Sequence, residues 1–272
     1  MNNFAKITAG FFSLLSILFL TCQMDHGLEP IRSGISWIIH YQGNWPDNTA
    51  EVRIVAATKF PPNDINDLII GDVLPIGNDS TEYNFYVDPG NYYLGLVWRE
   101  YNSAWGIQSI FGIYFVPGEP FTPGLINVPD ASTMVRGIDI EADFSKARKV
   151  SDSQIAGTVY FSGTWPKEVE DVRVIASLVF PPTSLLDLSF SNGLPAYIDY
   201  AAYFISVSPG TYKAIGVVIK QVDKPWSVNN IVGLLFKENS LELQEVIVPS
   251  EDSKISGIDL HIIFRGNNIV LH

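Results

Sequence analysis

The sequence predicts an all-β chain of two tandem, seven-stranded antiparallel β-sandwiches. Three observations point there. The chain matches itself at an offset of 120 residues, its apolar residues alternate with a period of two, and Pro, Gly, Asn and Asp recur between the alternating runs at the spacing of a sandwich.

The self-match fixes the number of domains. "GNWPDNTAEVRIVAATKFPP" (Gly43 to Pro62) returns as "GTWPKEVEDVRVIASLVFPP" (Gly163 to Pro182). The same offset aligns Tyr83 with Tyr203, Pro89-Gly90 with Pro209-Gly210, Tyr92 with Tyr212, and Gly137-Ile138-Asp139 with Gly257-Ile258-Asp259. A slip of one residue pairs Trp105 with Trp226, and the offset then returns. A period this long exceeds that of any solenoid repeat, so each copy is a domain with its own core. The expected organisation is a leader over 1–21, a tether over 22–33, a first sandwich over 34–146, a linker over 147–154, a second sandwich over 155–266 and a tail over 267–272.

Within the first copy, strands are expected near 35–42, 51–58, 83–88, 92–98, 110–116, 125–128 and 136–144. Val52, Ile54 and Ala56 alternate as a core strand, as do Val172, Val174 and Ala176. Ile138, Ile140, Ala142 and Phe144 face one way while Asp139, Glu141 and Asp143 face the other. "DPG" and "SPG" place a fixed φ beside a residue that tolerates positive φ, which predicts tight turns and hairpins with the strands opening at Tyr92 and Tyr212. "NDINDLIIG" and "TSLLDLSFS" read as helical turns capped by Asn63 and Thr183. The "SKARKVSDSQ" stretch is polar, locally basic and without apolar periodicity, and reads as a short linker.

"YNFYVDPGNYYLGLVW" (Tyr83 to Trp98) and "YFISVSPGTYKAIGVV" (Tyr203 to Val218) resemble the closing strands of carboxypeptidase-regulatory-like domains, members of the transthyretin-like (prealbumin-like) sandwich group. The resemblance covers about sixteen residues in each copy and implies an Ig-like or prealbumin-like sandwich. It implies no activity. The chain lacks that group's opening Gly-rich pattern and has the "WP…VR(I/V)…FPP" block there instead.

Near the start, Lys6 precedes a mostly uncharged apolar run from Ile7 to Leu20 that is too short to span a bilayer, which is the form of a secretory leader. "FLTC" (Phe19 to Cys22) resembles the lipobox of bacterial lipoproteins, with Phe and Thr where that family prefers Leu and a small residue. The resemblance implies a lipid on Cys22 and attachment to a membrane of the bacterial cell envelope; the other reading is a plain secretory leader. Cys22 is the chain's only cysteine, so no internal disulfide is available. A net charge of −12 with no basic stripe argues against a nucleic-acid partner.

Chemistry-bearing residues are sparse. Of the four histidines, His26 lies in the tether and His272 at the end of the sequence, while His40 and His261 stand opposite Tyr160 and Glu141 in the other copy, so no catalytic residues are assigned. Neither a metal-ligand spacing nor a phosphate loop appears, so no metal and no cofactor is expected; Asp64, Asp67 and Asp187 read as solvated loop acids rather than calcium ligands. Trp45 and Trp165 are expected to cover open ends of the two cores. Arg53 is expected to pair with Asp139 and Arg173 with Asp259. Trp98, Tyr101, Trp105 and Trp226 fall in or beside longer loops and are the candidate binding residues, either for a sugar or as the small core of the loop itself. The expected function is a non-catalytic, lipid-anchored scaffold for protein or glycan contact. Carbohydrate recognition and an accessory subunit or divergent enzyme of the envelope are the alternatives.

Overall fold

The computed structural model describes residues 32–264. The leader, Cys22, the tether up to residue 31, His26, His272 and the tail lie outside the described residues. The first sandwich comprises β1 (Gly34–Gln42), β2 (Thr49–Ala57), β3 (Leu68–Leu74), β4 (Ser80–Tyr86), β5 (Gly90–Glu100), β6 (Ile110–Ile113), β7 (Leu125–Val128), β8 (Met134–Val135) and β9 (Ile140–Asp143). One layer runs β3-β2-β5-β6 and the other β9-β1-β4, joined at a bridge between Gly112 and Ala142. The second comprises β10 (Gln154–Gly163), β11 (Val169–Ser177), β12 (Leu188–Phe190), β13 (Tyr200–Ser206), β14 (Gly210–Tyr212), β15 (Ala214–Gln221), β16 (Ile231–Leu234), β17 (Val246–Val248), β18 (Lys254–Ile255) and β19 (Leu260–Phe264). Its layers are β12-β11-β15-β16 and β13-β10 with β18 and β19, while β14 pairs β17.

The alternation of side chains puts one face of each strand inside. Val52, Ile54 and Ala56 of β2 and Leu94 and Leu96 of β5 meet Ile35, Ile39, Tyr83 and Phe85 of the other layer. In the second core, Val172, Val174 and Ala176 meet Ile155, Val159, Tyr203 and Ile205. Register follows the offset: Ile35 stands opposite Phe85 and Ile155 opposite Ile205.

Pairing differs from the expected pattern in three places. The Pro-Gly turns do not make hairpins: β4 pairs β1 and β13 pairs β10, whereas β5 pairs β2 and β14 pairs β17. Tyr83 and Phe85 before the turn and Tyr92 and Leu94 after it all point into the same core from opposite layers, so the chain crosses between layers there. The Tyr92 hydroxyl fastens this corner to the Asp88 carbonyl at 2.9 Å, as the Tyr212 hydroxyl does to Ser208. Second, β1 runs parallel to β8 and β9, and β10 to β18 and β19, although the other pairs are antiparallel. Of the expected strand over 136–144 only β9 forms; β8 lies just before it, and the chain turns between them at Gly137, where φ is +81°. The Tyr83 hydroxyl donates to the Ile138 carbonyl after that turn and the Tyr203 hydroxyl to Ile258, each at 2.7 Å. Burial first, and the Asp139 or Asp259 charge second, push both phenols above their ordinary pKa and keep them protonated donors.

Third, the segment read as a helical turn holds only one 3-10 turn, Ile65–Asp67, before β-branched Ile69 and Ile70 join β3. Asp64 caps that turn in place of Asn63, with its carboxylate accepting from Asn66 N–H at 2.9 Å. Asp67 closes the turn from the other side by accepting from Asn63 N–H at 2.8 Å. Ser184 rather than Thr183 caps the equivalent turn at Leu185–Asp187.

The Arg–Asp pairs across the sheet also take another form. Arg53 binds Glu51, two residues back on its own strand face, at 2.8 Å, and donates to the Gly71 carbonyl at 3.1 Å. Arg173 binds Asp171 at 2.8 Å and the Ser191 carbonyl at 3.0 Å. A spacing of two on a strand keeps acid and base on one face. Asp259 accepts instead from the Thr158 backbone N–H at 2.8 Å.

A third apolar cluster lies between the two cores. Ile175, Leu185, Val218 and Trp226 of the second sandwich pack against Phe60, Phe115 and Phe121 of the first. The Trp226 indole N–H donates to the Phe60 carbonyl at 2.9 Å, and the Leu185 N–H to the Pro120 carbonyl at 3.1 Å. The basic linker is fastened along this seam. Lys146 meets Asp187 at 2.5 Å, Lys149 meets Glu100 at 2.9 Å and Glu251 at 3.1 Å, and Gln108 exchanges two hydrogen bonds with the Ser151 backbone. Lys146, Lys149 and Ser151 thus each meet a partner along the seam.

Two outcomes follow for this seam. Trp226→Ala removes a fully packed indole and its hydrogen bond, and is expected to cost about 3–5 kcal/mol in urea unfolding, with the two sandwiches then melting separately; a loss below about 1 kcal/mol contradicts the interlock. Burial alone would raise the Asp187 pKa, but Lys146 and the Thr183 N–H and hydroxyl outweigh it and hold the carboxyl below its ordinary value. Its contribution is therefore complete above the unfolded carboxyl pKa of about 3.9 and is lost as pH falls through the lower folded value. Urea titrations between pH 7 and pH 2 should show this acid-side loss reduced in Asp187→Asn; an unchanged acid limb contradicts it.

Candidate functional site

The four candidate aromatics are not one group. Trp98 continues the inward face of β5 after Tyr92, Leu94 and Leu96, so the alternation carries it into the core, 6% exposed, with its N–H on the Thr49 hydroxyl at 2.9 Å. Trp226 sits in the seam at 3% exposure. Neither indole has a face for a sugar, and for these two the binding assignment gives way to a packing one. Tyr101, directly after β5, is 67% exposed. Trp105 is half-buried farther along the same loop, with the Arg99 guanidinium 5.3 Å from its ring centroid.

Arg99 is positioned from below. Its guanidinium binds Glu51 across the β2–β5 pair and the Ser103 carbonyl at 3.2 Å. Glu51 therefore lies between Arg99 and Arg53. Burial pushes its carboxyl up, and hydrogen bonds and charge from the two guanidiniums pull it further down, so it stays ionised below the usual range. A cation held over an indole face gains roughly 0.5–1 kcal/mol at an exposed site. The result is a small loop surface of Tyr101, Trp105 and Arg99.

Trp45 packs on Tyr41 and Phe144, with centroids 4.7 and 4.5 Å away, and donates to the Asn78 carbonyl at 3.0 Å. Trp165 packs on Phe161 and Phe264 at 4.6 Å each. The loop acids serve their own turns: Asp187 accepts from the Thr183 N–H at 2.6 Å as Asp67 does from Asn63. Among the described residues, no three His, Cys, Asp or Glu side chains converge as metal ligands.

The sequence reading missed a row of rings on the outer face of the second sandwich. Tyr160 on β10 stands opposite Tyr200 on β13 and His261 on β19. The Tyr160 and His261 rings are 4.9 Å apart and 10° from parallel, and Tyr200 lies 6.4 Å from Tyr160 at 37°. The 4.9 Å separation equals the spacing of adjacent strands, so the rings stand off the sheet and cover one another's faces. Tyr200 is 67% exposed, and Phe204 and Ile263 on the same two outer strands are about half exposed. In the first sandwich the matching positions are His40, Ser80 and Glu141. That contrast was the available signal: a polar row in one copy becomes an aromatic row in the other.

No family model and no curated protein sequence matches the chain. Similar solved structures include a candidate adhesin from Bacteroides ovatus, at 12% identity and a TM-score of 0.24 over 83% of this chain and 92% of that one. The fimbrial anchor protein Mfa2 from Porphyromonas gingivalis is similar at 10% identity and a TM-score of 0.22, over 75% and 82%. A candidate cell adhesion protein from Bacteroides fragilis is similar at 8% identity and a TM-score of 0.21, over 88% and 94%.

Proposed function

We propose that the chain is a non-catalytic contact scaffold of the bacterial cell envelope, tethered through a lipid on Cys22, whose second sandwich presents the principal surface for a protein partner. The observation that carries this is the exposed row Tyr200, Tyr160 and His261, with Phe204 and Ile263 exposed farther along the same outer face. Contiguous apolar surface on a folded chain marks an interaction site. Rings that already cover one another's faces present edges and hydroxyls outward, which suits a protein surface better than a stacked pyranose. The seam supports the same reading, since sandwiches interlocked through Trp226 and the linker hold that surface at a fixed place relative to the first sandwich. The charged residues best placed for chemistry have structural employment: Glu51 between two arginines, Asp187 under Lys146.

A second reading has its own observation. Tyr101 and Trp105 with Arg99 form a loop surface of the kind that stacks on a sugar ring. The two readings separate on the full chain tested against immobilised envelope proteins and envelope polysaccharides. A protein scaffold predicts protein binding that falls at least about tenfold in a Tyr200→Ser, Phe204→Ser double variant and is unchanged in Trp105→Ala. Polysaccharide binding lost in Trp105→Ala would replace the first reading with the second. For the anchor, labelled fatty acid should enter the wild-type chain and be absent from Cys22→Ala; unchanged labelling in the variant refutes it.

A further inference from the structure

The seam between the two sandwiches holds a half-open cavity of about 70 Å³. Its walls are mostly apolar, with Phe60, Pro61 and Ile110 from the first sandwich facing Leu185, Leu188 and Phe190 from the second. One charged side chain lines it, Arg148 of the linker. Its guanidinium reaches only neutral acceptors at long range: the Ser189 hydroxyl at 3.4 Å and the carbonyls of Leu186 and Asp187 at 3.3 and 3.4 Å. Among the described residues no carboxylate lies within 4 Å of it, because the nearby Asp187 carboxylate is held by Lys146, Thr183 and the Ser184 N–H. Arg148 therefore lines the cavity without a carboxylate in contact, inside a chain whose net charge is −12. Burial lowers the Arg148 pKa from its ordinary value, yet a guanidinium remains charged in a protein. A cation largely withdrawn from water, as half-buried Arg148 is, is ordinarily met by an anion.

We infer that this cavity is a binding site for a small aliphatic carboxylate, with the carboxylate on Arg148 and the hydrocarbon body against Phe60, Ile110, Leu185 and Phe190. The guanidinium offers parallel N–H donors that match a carboxylate in a bidentate pair. Size limits the body. A dry cavity of about 150 Å³ holds benzene, so about half that volume takes a chain of roughly three carbons. Both sandwiches and the linker contribute to the site, so ligand and interlock stabilise each other. The inference stands on the cavity and Arg148 and is independent of the outer-face row and of the lipid.

The test is a titration of the full chain with sodium butyrate, following the amide resonances of Gln108, Leu186 and Ser189 against a sodium chloride control. Saturable shifts are expected at these amides, at least tenfold weaker in Arg148→Gln, with none from butanol or butylamine. Ile107→Trp, which enlarges a side chain in the cavity wall and keeps the guanidinium, should weaken butyrate as well and decides the matter if Arg148→Gln loosens the seam. Absence of a saturable shift with butyrate overturns the inference. Equal binding of butanol, or undiminished butyrate binding in both variants, overturns it too.

Discussion

The organisation of this chain depends on one contact region, the packing of Trp226 and its neighbours against the Phe60 segment. Each sandwich has its own core and satisfies its own strands, so nothing within either core dictates how the two are placed. The third cluster does. It buries the outer faces of β11 and β15 through Ile175 and Val218, which would otherwise be apolar residues on the solvent side of a sheet. Two sandwiches of ordinary size become a single body by covering surface that neither could cover alone.

The contact is not symmetric between the copies, and that asymmetry shows which features belong to the shared architecture. Phe60 is half-buried in the seam with Pro61 and Pro62 buried beside it, whereas Phe180 in the matching position is exposed. Phe121 packs into the seam, whereas Leu241, its counterpart, is exposed. The corner tyrosines, the strand-borne arginines with acids two residues before them and the capped 3-10 turns occur in both. Recurring devices maintain a sandwich; those that differ join the sandwiches or form the outer-face row.

Much of this was legible in the residues. The alternation in Val52–Ile54–Ala56 and in Ile138–Phe144 placed their side chains in the cores, because a strand with one buried face has only one register that hides its apolar set. The Pro-Gly turns misled, since a tight turn in a sandwich serves a hairpin and a layer crossing equally well, and only partner strands far along the chain decide between them. β3 was hidden because Asp64 and Asp67 cap a real 3-10 turn immediately before it, and the turn signal masked the β-branched run. Loop tryptophans carry no sign of which side they face: Trp226 found a partner 166 residues away, which no local pattern encodes. The linker's composition likewise does not show where its cations go: Lys146 and Arg148 meet Asp187 and the Leu186 carbonyl, 41 and 38 residues along the chain.

The interlock makes a definite statement about motion. Residual dipolar couplings measured on backbone amides of both sandwiches test it directly. If the seam holds as described, the couplings from β1–β9 and from β10–β19 fit one common alignment tensor with the orientation of the structure. Two tensors of different magnitude would show the sandwiches reorienting independently and would contradict the account.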